Sequence, residues 1–313
     1  AKGGDFRKWS GNLEHVVDWS TTARKHYRKD ARCRIIPEEL WKEKGVTWSR
    51  VSSANTPPAF RYLPRAATFD MVGSSIFIPA LDDRCFVLAM LNSSLAKPMF
   101  KILNPTVDIQ VKDVRNFPIP TDIDKVKVIG NVERILILTH KDWDGFENSF
   151  DFSNNPLINT KRENSVGWVS DSVAQQIEAK NVGLRDKVAN PTYVLADIYT
   201  DWQSQNCATI VEIQRLEQEN NRLFIAAYGL QEELKPNVPL EQITLTANPK
   251  YRYGGKLSEE ALENRFQSDT LAELISYAIG CMMGRYSLDH QGLIYAHAGN
   301  EGFTELVQQG AYK

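Results

Sequence analysis

The clearest alternation of apolar and polar residues lies between Leu91 and Pro120, in the sequence LNSSLAKPMFKILNPTVDIQVKDVRNFPIP. Its first part predicts a short helix that ends at an Asn-Pro turn. The positions that follow place Val107, Ile109 and Val111 on one face, which predicts a strand. The prolines that follow, the first at position 118, cannot continue a paired strand. We therefore expect a helix, a turn and a strand in this order.

Three further segments of the first 120 residues have a recognisable pattern. Ser75–Pro79 is apolar and β-branched, and predicts a strand. Pro37–Lys44 predicts a helix, because proline suits the first helical position and acidic residues follow it. Arg84–Leu95 is apolar enough for a buried helix. Together these patterns predict an α/β (mixed α+β) fold, with a twisted sheet and irregular loops.

The pattern becomes mainly helical after residue 120. Ile123–Thr139 fits either a strand or a helix, and Asn148–Asn164 is polar and predicts a loop. Ser170–Lys180 predicts a helix. Pro191–Gly229 contains the longest helical pattern of the chain, and its final glycine is typical of a helix C-terminal cap.

The last part of the chain also has helical spacing. Ser258–Phe266 and Asp269–Met283 predict two helices, and Gly292–Gly302 is rich in turn-forming residues. We expect three units: a sheet-containing domain over residues 1–120, a helical spacer over 121–235 and a mainly helical C-terminal domain over 236–313.

Composition adds an asymmetry of charge to this picture. Residues 1–125 contain 20 Lys and Arg against 14 Asp and Glu, a net charge of +6, whereas residues 126–313 contain 17 against 25, a net charge of −8. A basic half favours binding to a polyanion, because each neutralised phosphate releases counterions. The acidic half would be repelled by DNA or would face another protein. The four cysteines form no CxxC pair, which indicates reduced thiols.

The motifs of catalysis are missing from the sequence. An adenine methyltransferase needs a Gly-rich turn for S-adenosylmethionine and an [NDS]-P-P-[YF] loop that binds the flipped base. Asn104-Pro105, Asn155-Pro156 and Asn248-Pro249 all lack the second proline. HExxH, GxxxxGK[ST] and GxSxG motifs are also missing. We therefore expect no catalytic residue, no metal site and no cofactor in this chain.

Basic residues interleaved with aromatic ones supply the positive signal. They occur at Phe6–Trp9, at Arg24–Lys29 and around Trp48 and Phe60. Arginine and lysine bind phosphates and the major-groove edge of guanine. The candidate DNA contacts are Arg7, Lys8, Lys25, Arg28, Lys29, Arg50 and Arg61. Trp9 and Trp48 fit a buried core equally well.

Several of these segments, in this order, are similar to one family. They are FRKW at Phe6–Trp9, GVTWS at Gly45–Ser49, ILNPT at Ile102–Thr106 and LISYAIGCMMGRYSLD at Leu274–Asp289. The combination resembles the target-recognition region and tail of PglX, the adenine-specific DNA methyltransferases of BREX phage-defence systems. The sequence opens with Ala1 rather than methionine, so we expect a fragment. The resemblance implies that it is a C-terminal portion, which lacks the N-terminal catalytic domain.

The resemblance implies a function and partners. This family methylates N6 of adenine with S-adenosylmethionine at a short non-palindromic site, and so marks host DNA as self. Residues 1–120 would select the site on double-stranded DNA. The remainder would contact the missing methyltransferase domain or other BREX proteins, in the bacterial cytoplasm and without a membrane.

Two alternatives stay open. The chain could be a protein-interaction scaffold within the defence complex, with its acidic half as the working surface. A specificity subunit resembling those of type I restriction systems would need two recognition domains, and a single basic half counts against it.

Overall fold

The computed structural model describes most of the chain. The described residues are 1–33, 35–41, 43–50, 58–64, 67–70, 72–159, 191–288, 290–297, 299 and 301–311. The helix predicted at Ser170–Lys180 lies outside them. Within these ranges the fold has ten helices and one small sheet, which confirms a mixed α/β fold.

The sheet has three antiparallel strands in the order β2-β1-β3. They are β1 (Gly45–Trp48), β2 (Phe60–Leu63) and β3 (Ser75–Phe77). Trp9 extends the sheet beyond β2: its N–H donates to the carbonyl of Phe60 at 2.9 Å, and its own carbonyl accepts from the N–H of Tyr62 at 2.7 Å. The N-terminal segment is therefore part of the sheet. Strand β3 confirms the strand predicted at Ser75–Pro79.

Helix α1 (Thr21–Tyr27) precedes the sheet. Three helices follow it: α2 (Leu81–Asn92), α3 (Ala96–Leu103) and α4 (Val111–Arg115). Helix α2 is largely buried, as its apolar sequence predicts. Among the described residues no single helix is long and apolar enough to span a membrane. Helices α2 and α3 meet the length and composition requirements only together, and they are bent by 83°.

The strand predicted over Val107–Val111 is wrong as a strand: the segment forms a single β-bridge at Asp108, the Ile109 N–H donates to the Arg50 carbonyl at 2.9 Å, and α4 begins at Val111. Gln110 and Asp113 form a capping box, in which the Asp113 carboxylate accepts from the Gln110 N–H at 2.9 Å. The same carboxylate accepts from the Asn104 amide at 2.7 Å. Local bonds of this kind start a helix and compete with strand pairing.

The helix predicted over Pro37–Lys44 is reduced to a single 3₁₀ turn, Glu38–Leu40. Pro37 precedes this turn as its N-terminal cap. The Trp41 indole N–H donates back to the Ile36 carbonyl at 2.8 Å and closes the turn.

The remaining helices come after residue 120. They are α5 (Lys125–Trp143), α6 (Pro156–Asn159), α7 (Pro191–Ala227), α8 (Pro249–Tyr253), α9 (Glu259–Met282) and α10 (Phe303–Gln308). Helix α5 resolves the ambiguous segment as helical. Helix α7 confirms the longest helical pattern, and Gly229 follows it with φ +67°, as a helix-ending glycine requires. Helix α9 is continuous where the sequence predicted two helices.

The main core combines both halves of the chain. Trp48 and Phe60 from the sheet pack with Leu88 of α2, Val132 of α5 and Phe224 of α7 in one cluster of buried side chains. Trp9 and Trp48 are almost fully buried, which confirms them as core residues. The sheet is therefore fixed directly on the long helices.

Candidate nucleic-acid interface

Arg7 is buried at the junction between the N-terminal segment and α5. Its guanidinium forms an ion pair with Asp142 at 2.8 Å and donates to the Thr246 hydroxyl at 2.9 Å. It also lies 4.6 Å from the ring centre of Trp143. Asp142 accepts in addition from the backbone N–H of Thr246 and Ala247, at 2.7 and 2.9 Å. Arg7 therefore joins three segments inside the protein.

Lys8 and Trp9 bind the same carboxylate on α7. The Lys8 ammonium pairs with one oxygen of Glu217, and the Trp9 indole N–H donates to the other at 2.6 Å. The backbone N–H of Lys8 donates to the Thr244 hydroxyl at 3.1 Å. All three residues of this cluster, Lys8, Trp9 and Glu217, are buried.

Arg61 is also buried, with 1% of its surface exposed. It donates to the backbone carbonyls of Arg7 and Gly3 at 3.2 and 3.1 Å. Burial lowers the pKa of this guanidinium to about 10. Arg7, Lys8 and Arg61 are thus buried and donate to other groups of the protein, which holds the N-terminal segment in place.

Arg50 lies just beyond the end of the central strand β1, with about a third of its side chain exposed. Its Nε and Nη2 atoms donate to the two carboxylate oxygens of Asp108, at 2.5 and 2.7 Å. This pairing lowers the pKa of Asp108. The bidentate contact orients the guanidinium and leaves Nη1 outside the pair.

Lys25, Arg28 and Lys29 are exposed on the surface. They are spaced i, i+3 and i+4 along α1 and the turn that follows it, so they lie on one face. Ser20 caps the helix by accepting from the Ala23 N–H at 3.1 Å. Arg28 forms an exposed ion pair with Glu38. We call Lys25, Arg28 and Lys29 the basic face.

The basic face lies on an exposed segment, residues 13–44, which we call the arm. None of the described residues of this arm is buried. Trp19 and Trp41 pack edge to face, with ring centres 5.2 Å apart. The Arg24 guanidinium lies 5.0 Å from the Trp41 ring centre and donates to the Trp19 carbonyl at 2.6 Å. Arg24 therefore stabilises the arm, while its basic neighbours face solvent.

A second group of exposed cations was missed by the sequence analysis. Lys101 lies in the last turn of α3, and Lys112 and Arg115 lie on α4. Asn104 connects the two helices by donating to the buried Asp113 carboxylate. The predicted strand over Val107–Val111 hid the helix α4, which places Lys112 and Arg115 close to each other. The spacing of Lys112 and Arg115, i and i+3, was the available helical signal.

A metal site and a small-molecule cavity are the other kinds of site to consider in the described part of the chain. Within the described ranges no group of three or more His, Cys, Asp or Glu side chains is placed to bind a metal ion. A cavity of about 330 Å³ lies between α5, α6 and α7, with Asp144, Trp202 and Asn206 among its lining residues. Burial raises the pKa of Asp144. Nothing about this cavity identifies a ligand.

The amino-acid sequence of the chain is similar to one part of two adenine-specific methyltransferases, which confirms the predicted resemblance to PglX. The chain is 33% identical over 315 residues to the adenine-specific methyltransferase BrxX of Escherichia coli O9:H4 (strain HS), a match that covers 100% of this chain and 23% of BrxX. It is 29% identical over 301 residues to the adenine-specific methyltransferase PglX of Lacticaseibacillus casei (strain Zhang), a match that covers 94% of this chain and 21% of that PglX. No protein-family model matches the chain. The chain spans less than a quarter of the length of either relative.

Proposed function

We propose that this chain is the DNA sequence-recognition part of an S-adenosylmethionine-dependent N6-adenine DNA methyltransferase from a BREX phage-defence system. The whole enzyme would mark host DNA as self. Catalysis and S-adenosylmethionine binding would belong to a methyltransferase domain outside this chain, and the chain alone would be inactive. Its partners would be double-stranded DNA, that domain and other BREX proteins.

The observation that carries this proposal is the homology to an adenine-specific methyltransferase along the whole of this chain, which lacks the methyltransferase motifs. A site-specific methyltransferase needs a part that selects DNA as well as one that transfers the methyl group. The exposed arm and its cations suit selection of a DNA site, because phosphate contacts position a protein on the duplex.

The basic face of the arm supplies the phosphate contacts in this proposal. Lys25 and Lys29 are exposed one helical turn apart, and Arg28 lies between them. Lysine and arginine that neutralise phosphates release counterions, so binding weakens as salt increases. The cations on α3 and α4 would add further phosphate contacts.

Arg50 is the candidate for base reading. Asp108 occupies the Nε–Nη2 edge of its guanidinium, which leaves the end formed by Nη1 and the second hydrogen of Nη2. Two donors in this arrangement match the O6 and N7 acceptors of guanine in the major groove. A guanidinium already oriented by a carboxylate loses less side-chain entropy when it binds.

Equilibrium binding of the chain to a duplex of random sequence tests this DNA role. We expect binding at about 50 mM salt and much weaker binding at about 200 mM, with a slope of log K against log salt near −3 or steeper if three or more phosphates are contacted. Failure to bind at the lower salt concentration would contradict the proposal. It would favour the alternative, a protein-interaction scaffold that uses the acidic half.

A further inference from the structure

The outer face of α9 exposes large apolar side chains in a continuous stripe. The exposed fractions are 60% for Ile275, 46% for Ile279, 87% for Met282 and 66% for Met283. The first three are spaced i, i+4 and i+7, so they lie along one side of the helix, and Met283 immediately follows its end. We call these four residues the apolar stripe.

The opposite face of α9 is well packed, so the stripe is not the result of a loosely placed helix. Phe266 and Tyr277 are almost completely buried. Gly280 lets the Tyr286 ring approach closely, since a Cβ at this position would lie 2.5 Å from the ring. Glu273 accepts from Arg252 at 2.7 Å.

The stripe also lacks the charges that usually cover an exposed helix face. Residues 274–283, LISYAIGCMM, contain no charged side chain. Single exposed apolar residues are common on protein surfaces, as Ile137 on α5 illustrates. A contiguous row of four is characteristic of a surface that another protein segment covers.

We propose that the apolar stripe is covered by the portion of the parent methyltransferase that lies outside this chain. The inference rests on the proposed function. The relatives are more than four times as long as the region that they share with this chain, and the match to BrxX covers 100% of the chain, α9 included. A covalently linked domain is present at a high effective concentration, so it reaches an apolar surface before a second molecule does.

Methionine oxidation provides a direct test, because Met282 and Met283 are themselves part of the stripe. Dilute hydrogen peroxide transfers one oxygen atom to the thioether sulfur and leaves as water, and the rate depends on access to the sulfur. The rates would be measured by peptide mass spectrometry in this chain and in the full-length methyltransferase. We expect both methionines to oxidise several-fold more slowly in the full-length protein. Met90, which is 2% exposed, should react slowly in both and would report unfolding.

Equal rates for Met282 and Met283 in the two proteins would overturn the proposal. Slower oxidation of this chain alone as its concentration rises would also overturn it, because a second copy would then be the occupant. In the full-length protein Ile275→Asp should restore fast oxidation of Met282, whereas the matched control Ile137→Asp should not. None of these results depends on DNA binding, so failure here and failure of the recognition role are separate outcomes.

Discussion

The Lys8 ammonium and the Glu217 carboxylate form an ion pair in the protein interior, with only 5% and 4% of their side chains exposed. Glu217 also accepts from the Trp9 indole N–H. One carboxylate on α7 therefore fixes two consecutive residues of the N-terminal segment. Because Trp9 lies beside β2, this contact ties the sheet to the longest helix.

Removing one partner of this pair should strongly destabilise the fold. Lys8→Met or Glu217→Leu leaves an unpaired charge in the interior, and we expect a loss of about 3–5 kcal/mol in the free energy of unfolding, measured with urea. The exposed Glu233→Ala control should change it by less than about 0.5 kcal/mol. The double variant should lose clearly less free energy of unfolding than the sum of the two single losses. Simple additivity would contradict a direct coupling between Lys8 and Glu217.

The basic face should govern how strongly salt weakens DNA binding. Lys25→Ala with Lys29→Ala should reduce affinity for all duplex sequences alike and make the salt slope shallower by about 2. The melting temperature should stay unchanged, because both side chains are exposed. Lys256→Ala removes an exposed lysine from the acidic half and serves as the matched control. An unchanged slope in the double variant would exclude these two lysines from phosphate contact.

Arg50 should control specificity rather than overall affinity. Arg50→Lys removes the planar fork but keeps the charge, so we expect preference at one base pair to fall by about 1–3 kcal/mol while other positions are unaffected. Asp108→Asn should weaken the same preference by releasing the guanidinium from its fixed orientation. The base preferences of each variant would be measured by selection from a duplex pool. Uniform weakening at all positions would show that Arg50 binds phosphate instead.

The contact between α5 and α7 should weaken in acid. Arg134 lowers the pKa of Glu212, and Lys127 lowers that of Glu219. A carboxylate with a lowered folded-state pKa stabilises the fold above its unfolded value, roughly pH 4.3, and this contribution disappears as pH falls through the folded value. Glu212→Gln should therefore lower stability at neutral pH but hardly change it in strong acid. Urea unfolding at both pH values measures the difference, and an equal loss at both would contradict the ion-pair account.

The sequence predicted elements whose causes are local. The helical spacing of α7 and the glycine that follows it were both visible in the pattern. The burial of Lys8 was not visible in the pattern, because its partner Glu217 is 209 residues away. A basic-aromatic motif on a surface and one that forms internal ion pairs have the same local sequence.

Local bonds also explain the predicted strand that proved wrong. Its alternation was real, but the capping box of Asp113 starts a helix at Val111 instead. All seven candidate DNA contacts stay predictions, and Arg7, Lys8 and Arg61 are the three that the structure buries. The division at residues 120 and 235 also stays a prediction.

Selection of this chain's ligands from a randomised duplex pool at two salt concentrations, followed by sequencing, tests the central claim most directly. The account predicts a short enriched motif with one strong guanine position that Arg50→Lys relaxes, and affinity that falls as salt rises. Salt-sensitive binding without any enriched motif would contradict sequence recognition by this chain and leave it only a phosphate-binding role.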